Sequence, residues 1–109
     1  MNNVSDDRIK QYLDIHDYKT LAVYGLGTIG QKLAGILDDI GMKLIIIDQR
    51  NLEFRGSKTI HPDDYAANDS IDAVIITSYE GQQELKDWFI DGGCKKVIYT
   101  AESFANDIG

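Results

Sequence analysis

Gly25, Gly27 and Gly30 take the spacing G-x-G-x-x-G in the run Gly25-Leu26-Gly27-Thr28-Ile29-Gly30, and Asp48 stands eighteen positions after the third glycine. Each residue type has a chemical use at its place. The first glycine permits a tight turn, the second lets main chain approach a pyrophosphate, and the third lets helix and strand pack with no Cβ between them. Main-chain N–H groups at a helix start, at the positive end of its dipole, can hold an anion without any Lys or Arg. A carboxylate at Asp48 could accept hydrogen bonds from both hydroxyls of an adenosine ribose and would repel a 2'-phosphate, whereas Arg50 nearby would attract one. The candidate nucleotide-contacting residues are therefore Gly25, Leu26, Gly27, Thr28, Ile29 and Gly30, with Asp48, Gln49 and Arg50. NAD is the expected cofactor; NADP and a nucleotide sugar are the alternatives.

The glycines can serve in this way only at a strand-to-helix turn. Residues 19–25, KTLAVYG, read as a short β-branched strand ended by glycine. From Thr28 the period changes, and Ile29, Leu33, Ile36, Leu37 and Ile40 make one helical stripe closed by Gly41. MKLIIID, with four consecutive large aliphatics, has the pattern of a strand covered on both faces, and Asp48 marks its carboxyl end. Residues 51–65 are mixed and polar, with a short strand expected at 58–60 and a first helical turn at Pro62-Asp63-Asp64. IDAVIITS is a further strand, then a helix with Leu85, Trp88 and Phe89 inward and Gly92 or Gly93 at its end, then a last strand, KKVIYT.

This alternation implies an α/β fold with a doubly wound, mainly parallel sheet of about five strands in the order 3-2-1-4-5 and helices on both faces. Ligands of such sheets lie outside the strand carboxyl ends, where the strand order reverses. That places Thr77, Ser78 and Tyr79 on the rim of the crevice. Thr77 and Ser78 either contact the ribose or base or cap the following helix, and the sequence leaves both open. Residues 1–18 are expected to form a short leading helix started by Ser5 and packed on a domain spanning 19–109. Residues 101–109 read as a tail, or as the start of a further segment.

A chain of 109 residues makes one domain, with no room for a second catalytic one. Its 43% hydrophobic and 27% charged residues suit a soluble globular protein, and one Pro and one Cys argue against disorder and disulfide scaffolding. The longest apolar run, residues 44–47, is far short of the ~20 residues of a membrane span, and the start, MNNVSDDRIK, lacks a signal-peptide pattern. A cytoplasmic protein without membrane association is expected. The net charge of −7 opposes nucleic-acid binding but leaves room for a small anionic ligand at one helix start.

No catalytic set is legible. His16 falls on the apolar side of the leading helix as a packed or half-exposed residue, and Cys94 reads as a packed thiol. His61, Asp63 and Asp64 suit a helix start better than an acid–base pair, and the Cys and two His lack metal-ligand spacing.

With these elements laid out, AVYGLGTIGQKLAGILDDIGMKLIIIDQR, KTIHPDDY and IDAVIITSYEGQQELKDWFIDGGCKKVIY resemble small Rossmann domains fused to polysaccharide-biosynthesis enzymes, sugar O-acyltransferases, glycosyltransferases and methyltransferases. The resemblance covers residues 19–100. It implies a module that binds NAD(P) or a nucleotide sugar, with Gly25, Gly27, Gly30 and Asp48 at the nucleotide and Thr77 and Ser78 beside it. A homodimer or a fused or partner catalytic domain would complete any chemistry. The glycine turn also resembles the nucleotide-sensing domains of potassium-transport regulators, whose G-D-A-T-like stretch is missing here. It is similar to that of 2-hydroxyacid dehydrogenases too, whose catalytic Arg, Glu and His have no counterpart. The expectation is a binding module in sugar or cell-surface biosynthesis, with a regulatory nucleotide sensor or a reductase completed by a partner or dimer as alternatives.

Overall fold

The four apolar runs become four parallel strands in the computed structural model, which describes residues 5–66 and 70–109. The first four positions of the leading segment 1–18 lie outside the described residues. Strands β1 (Thr20–Tyr24) and β2 (Lys43–Ile47) flank helix α2 (Thr28–Ile40) in the chain, and helix α1 (Asp6–Ile15) precedes them. A small hairpin follows, β3 (Glu53–Phe54) and β4 (Ser57–Lys58), then a 3-10 turn at Pro62–Asp64. Strand β5 (Ala73–Ile76), helix α3 (Gln82–Asp91), strand β6 (Val97–Thr100) and helix α4 (Ala101–Ile108) complete the chain. The main sheet has the order β2-β1-β5-β6, so the winding direction reverses between β1 and β5.

Alternation along the strands explains the two layers of helices. Leu21 and Val23 of β1 and Ala73 and Ile75 of β5 face a core filled by Ile9 and Leu13 of α1, Leu33 and Leu37 of α2, and Phe104 of α4. Ala22, Tyr24, Val74 and Ile76 point the other way, onto Phe89 of α3. Both sheet faces are thus buried, which is why these strands read as unbroken apolar runs. On α2 the buried face is Gly30, Leu33, Ala34 and Leu37, while Ile29, Ile36 and Ile40 of the expected stripe are only half-buried. On α3, Phe89 is buried and Leu85 half-buried, but Trp88 is not inward: it is 37% exposed and leans on Tyr24 and Tyr65 at the edge of that core.

Three further expectations change. The expected third strand at 58–60 is reduced to a single parallel bridge between Ile60 and Ile47, because the chain just before it folds back as β3-β4. That hairpin turns at Arg55 (φ 50°) and Gly56 (φ 86°), and Arg55 ties it to the end of α2 through Asp38 and Asp39, each at 2.7 Å. No α-helix follows Pro62 among the described residues before β5; the turn there is capped by His61 Nδ1, which accepts from the Asp63 N–H. Residues 101–109 are no tail. Thr100 ends β6 and also caps α4 through a reciprocal pair of bonds with Ser103, and Phe104 is fully buried.

A relay of hydroxyls fastens α1 and α4 to β6. Tyr18 donates to Tyr99 (3.0 Å), Tyr99 to Tyr12 (2.7 Å), and Tyr12 to the Asp107 carboxylate. Burial, reinforced by the acceptor each tyrosine bonds to, pushes Tyr12 and Tyr99 up to about 12. His16 is exposed, stacked against Tyr12 with centroids 4.1 Å apart.

Candidate functional site

Past the carboxyl ends of β1 and β5 lies a cleft of about 910 Å³. Its floor is the glycine turn. Gly25 has φ +105°, a conformation that favours glycine, and a Cβ there would meet Thr77 Oγ1 at 2.7 Å. A Cβ on Gly30 would sit 2.0 Å from the Gly25 carbonyl oxygen, so α2 rests directly on the turn. Gly27 differs from both: its φ of −82° is ordinary, and nothing lies within 4 Å of where its Cβ would be. Gly27 caps α2 with no side-chain acceptor, which leaves the helix start to present main-chain N–H groups at the cleft.

Two side chains brace this turn from neighbouring strands. Thr77 Oγ1 lies within bonding distance of two carbonyls, Tyr24 (3.0 Å) and Gly25 (2.8 Å), and its N–H donates to Tyr24 O. Asp48, 5% exposed, accepts from the Leu26 N–H at 2.8 Å. It also accepts from the Arg50 N–H (2.8 Å), Arg50 Nε (3.0 Å) and Arg50 Nη2 (3.0 Å). Burial opposes the charge on Asp48, but these bonds from Arg50 and Leu26 outweigh it and hold the carboxyl below its ordinary range.

The cleft gathers Gly25, Gly27, Thr28, Ile29, Gly30, Asp48, Gln49, Arg50, Thr77 and Ser78, as the sequence had grouped them. Leu26 is placed otherwise. Its side chain is buried against Ala34 and Ile46, and its N–H is taken by Asp48. Neither Thr77 nor Ser78 caps α3: Gly81 holds that position in a left-handed conformation, and Ser78 Oγ donates instead to Glu80 O (3.1 Å). Lining residues that the sequence did not single out include Tyr24, Glu80 and Glu84. Tyr24 turns its hydroxyl to Gln49. The left-handed Gly81 that follows Glu80 is the one local signal that the loop after β5 turns back toward the cleft.

Solved structures share this arrangement of elements. The chain is similar to RSP, a Rex-family repressor, at 21% identity and a TM-score of 0.62, over 84% of this chain and 51% of that one. It is similar to RSP in complex with beta-NADH at 18% identity and a TM-score of 0.61, over 84% of this chain and 58% of that one. The fold is Rossmann-like. At these identities the likeness is one of fold, and the chain spans little more than half the length of the solved chains it matches. No family model matches the sequence, and no curated protein does. Neither neighbour is a sugar- or polysaccharide-synthesising enzyme, so the fusion context implied by the sequence resemblance finds no support in them.

Among the described residues no group of three or more His, Cys, Asp or Glu stands close enough to hold a metal ion, and no helix is long and apolar enough to cross a membrane. The carboxylates that line the cleft are Asp48, already paired, and Glu80 and Glu84 on the loop and first turn of α3. Among the described residues that line it, Arg50 is the one cation. What this geometry offers a ligand is a row of amides, a shaped floor and one ion pair, which suits binding.

Proposed function

We propose that this chain is a dinucleotide-binding module whose cleft takes NAD(H), and that it acts as a nucleotide-sensing unit within a larger regulatory protein or assembly. One observation carries the reading. The start of α2, without a side-chain cap, opens into the cleft where the strand order reverses, with Gly27 clear of any neighbour and Asp48 at the end of β2. The solved complex of RSP with beta-NADH supports the choice of ligand, and RSP's being a repressor supports a sensing role over self-sufficient catalysis.

A homodimer or a fused or partner domain belongs to this reading. Ile90 and Val97, 57% and 51% exposed, are apolar side chains available for such a contact. The acidic charge speaks only for these 109 residues, so the exclusion of nucleic acid is not carried over to a longer repressor-like assembly.

Thermal denaturation with NAD, NADH, NADP, NADPH and nucleotide sugars tests the proposal. A ligand present at ~100 times its dissociation constant adds roughly 2.7 kcal/mol, which raises the melting temperature of so small a domain by roughly 10 °C or more. A shift with NADH or NAD is expected. No shift with any dinucleotide overturns the reading, and a shift with nucleotide sugars alone reassigns the ligand.

A further inference from the structure

The acceptor positions of Asp48 are all in use. Oδ2 takes the Leu26 N–H and Arg50 Nη2, while Oδ1 takes the Arg50 N–H and Arg50 Nε. A carboxylate offers about four such positions, so a ribose diol finds none free while the guanidinium is in place. Two of the four donors are main-chain groups, the Leu26 amide of the glycine turn and the Arg50 amide just past β2. The other two belong to a side chain that is 61% exposed and can swing away without opening the core.

We propose that Arg50 is the specificity-determining residue of this cleft, a built-in competitor that must leave Asp48 when a ribose with a free diol binds and that meets a 2'-phosphate when one is present. The inference rests on the dinucleotide reading given above. While Arg50 holds Asp48, the pair carries no net charge, and a 2'-phosphate approaches it without net repulsion. Without the guanidinium, the carboxylate accepts the diol freely and repels the phosphate. An acidic strand end alone therefore does not make the cleft exclusive for NAD(H); the arginine moderates it.

The test is calorimetric titration of NADH and NADPH into the 109-residue chain, into R50A and into R50K, with melting curves to check folding. In R50A the Arg50 main-chain N–H remains at position 50 to hold Asp48, so the turn is retained. Removing the competitor is expected to tighten NADH by about three- to fivefold. Loss of the charged partner is expected to weaken NADPH by about tenfold. R50K, which keeps the charge on a single prong, falls between, and carries the comparison should R50A fail to fold. An unchanged NADH-to-NADPH preference, or a shift toward NADPH, in variants that still bind overturns the proposal. If no dinucleotide binds either the native chain or the variants, the dinucleotide reading of the cleft fails and the inference falls with it.

Discussion

The Gly25 carbonyl oxygen occupies the place a side chain at Gly30 would need, 2.0 Å from the position of its Cβ. Gly30→Ala should therefore force helix and turn apart. Overpacking against main chain costs about 1–3 kcal/mol or more, against a helix-propensity gain of under about 1 kcal/mol. Gly27→Ala, which meets nothing within 4 Å, should stay within about 1 kcal/mol of the native stability. It should still weaken dinucleotide binding, because its new methyl group stands where main chain would approach the ligand. Chemical denaturation and calorimetry on the two variants separate the roles. Equal stability losses would contradict this division.

Thr77→Val removes a hydroxyl that bonds the Gly25 carbonyl across the gap between β5 and the turn. Tyr24 O keeps the Thr77 N–H, so the Gly25 oxygen is the group left short. A loss of about 1–3 kcal/mol is expected, with Thr77→Ser recovering most of it. Denaturant midpoints at constant slope provide the measurement.

Acid should loosen both ends of β1. At the far end from Asp48, the Asp72 carboxylate accepts from the Thr20 N–H (2.9 Å) and the Lys19 N–H (2.7 Å), bonds that hold its pKa down despite partial burial. Both carboxyls are lowered below an unfolded value of about 3.9. Their contribution is complete above about pH 4 and is lost as pH falls through the folded values. Asp72→Asn should cost about 1–2 kcal/mol at pH 7 and markedly less near pH 2. A pH-independent cost would contradict the assignment.

Alkali acts through the tyrosine relay, with the opposite sign. Tyr12 and Tyr99 are raised to about 12 by burial and by the acceptors they bond to, so their contribution is full below the unfolded value of about 10 and is lost as pH rises toward 12. Tyr99→Phe takes away the acceptor of Tyr18 and the donor to Tyr12. It should lower stability at pH 7 by about 1–2 kcal/mol and flatten the alkaline limb of a stability profile.

Strands covered on both faces carry their signature in composition, and this is why the central β1 and β5 were legible as apolar runs, while β2 and β6, buried only toward their carboxyl ends, were legible from shorter ones. The helix α4 was not. It places one fully buried residue, Phe104, in the core, and its cap, Thr100, is also the last residue of a strand. The third strand failed to extend because Arg55 and Gly56 turn the chain back, with Arg55 held by two aspartates of α2 that no local pattern connects to it. At the cleft, the glycine spacing and Asp48 were readable since their geometry follows from local sequence. The seizure of Asp48 by Arg50, and the inward turn of Leu26, depend on how the chain leaves β2 and were not.

Strand β1 is held at its start and just past its end by carboxylates from distant parts of the chain, Asp72 at Lys19 and Thr20 and Asp48 at Leu26. Each partner sits on a segment flanking another strand of the same sheet, so side chains as well as ladder pairs tie both ends of β1 to its neighbours. In hydrogen exchange the central strand and the loop it feeds should open as one cooperative unit, whose slowest amides report the unfolding of the whole domain. The Leu26 amide of the ligand-facing loop should then exchange about as slowly as those of the strand beneath it.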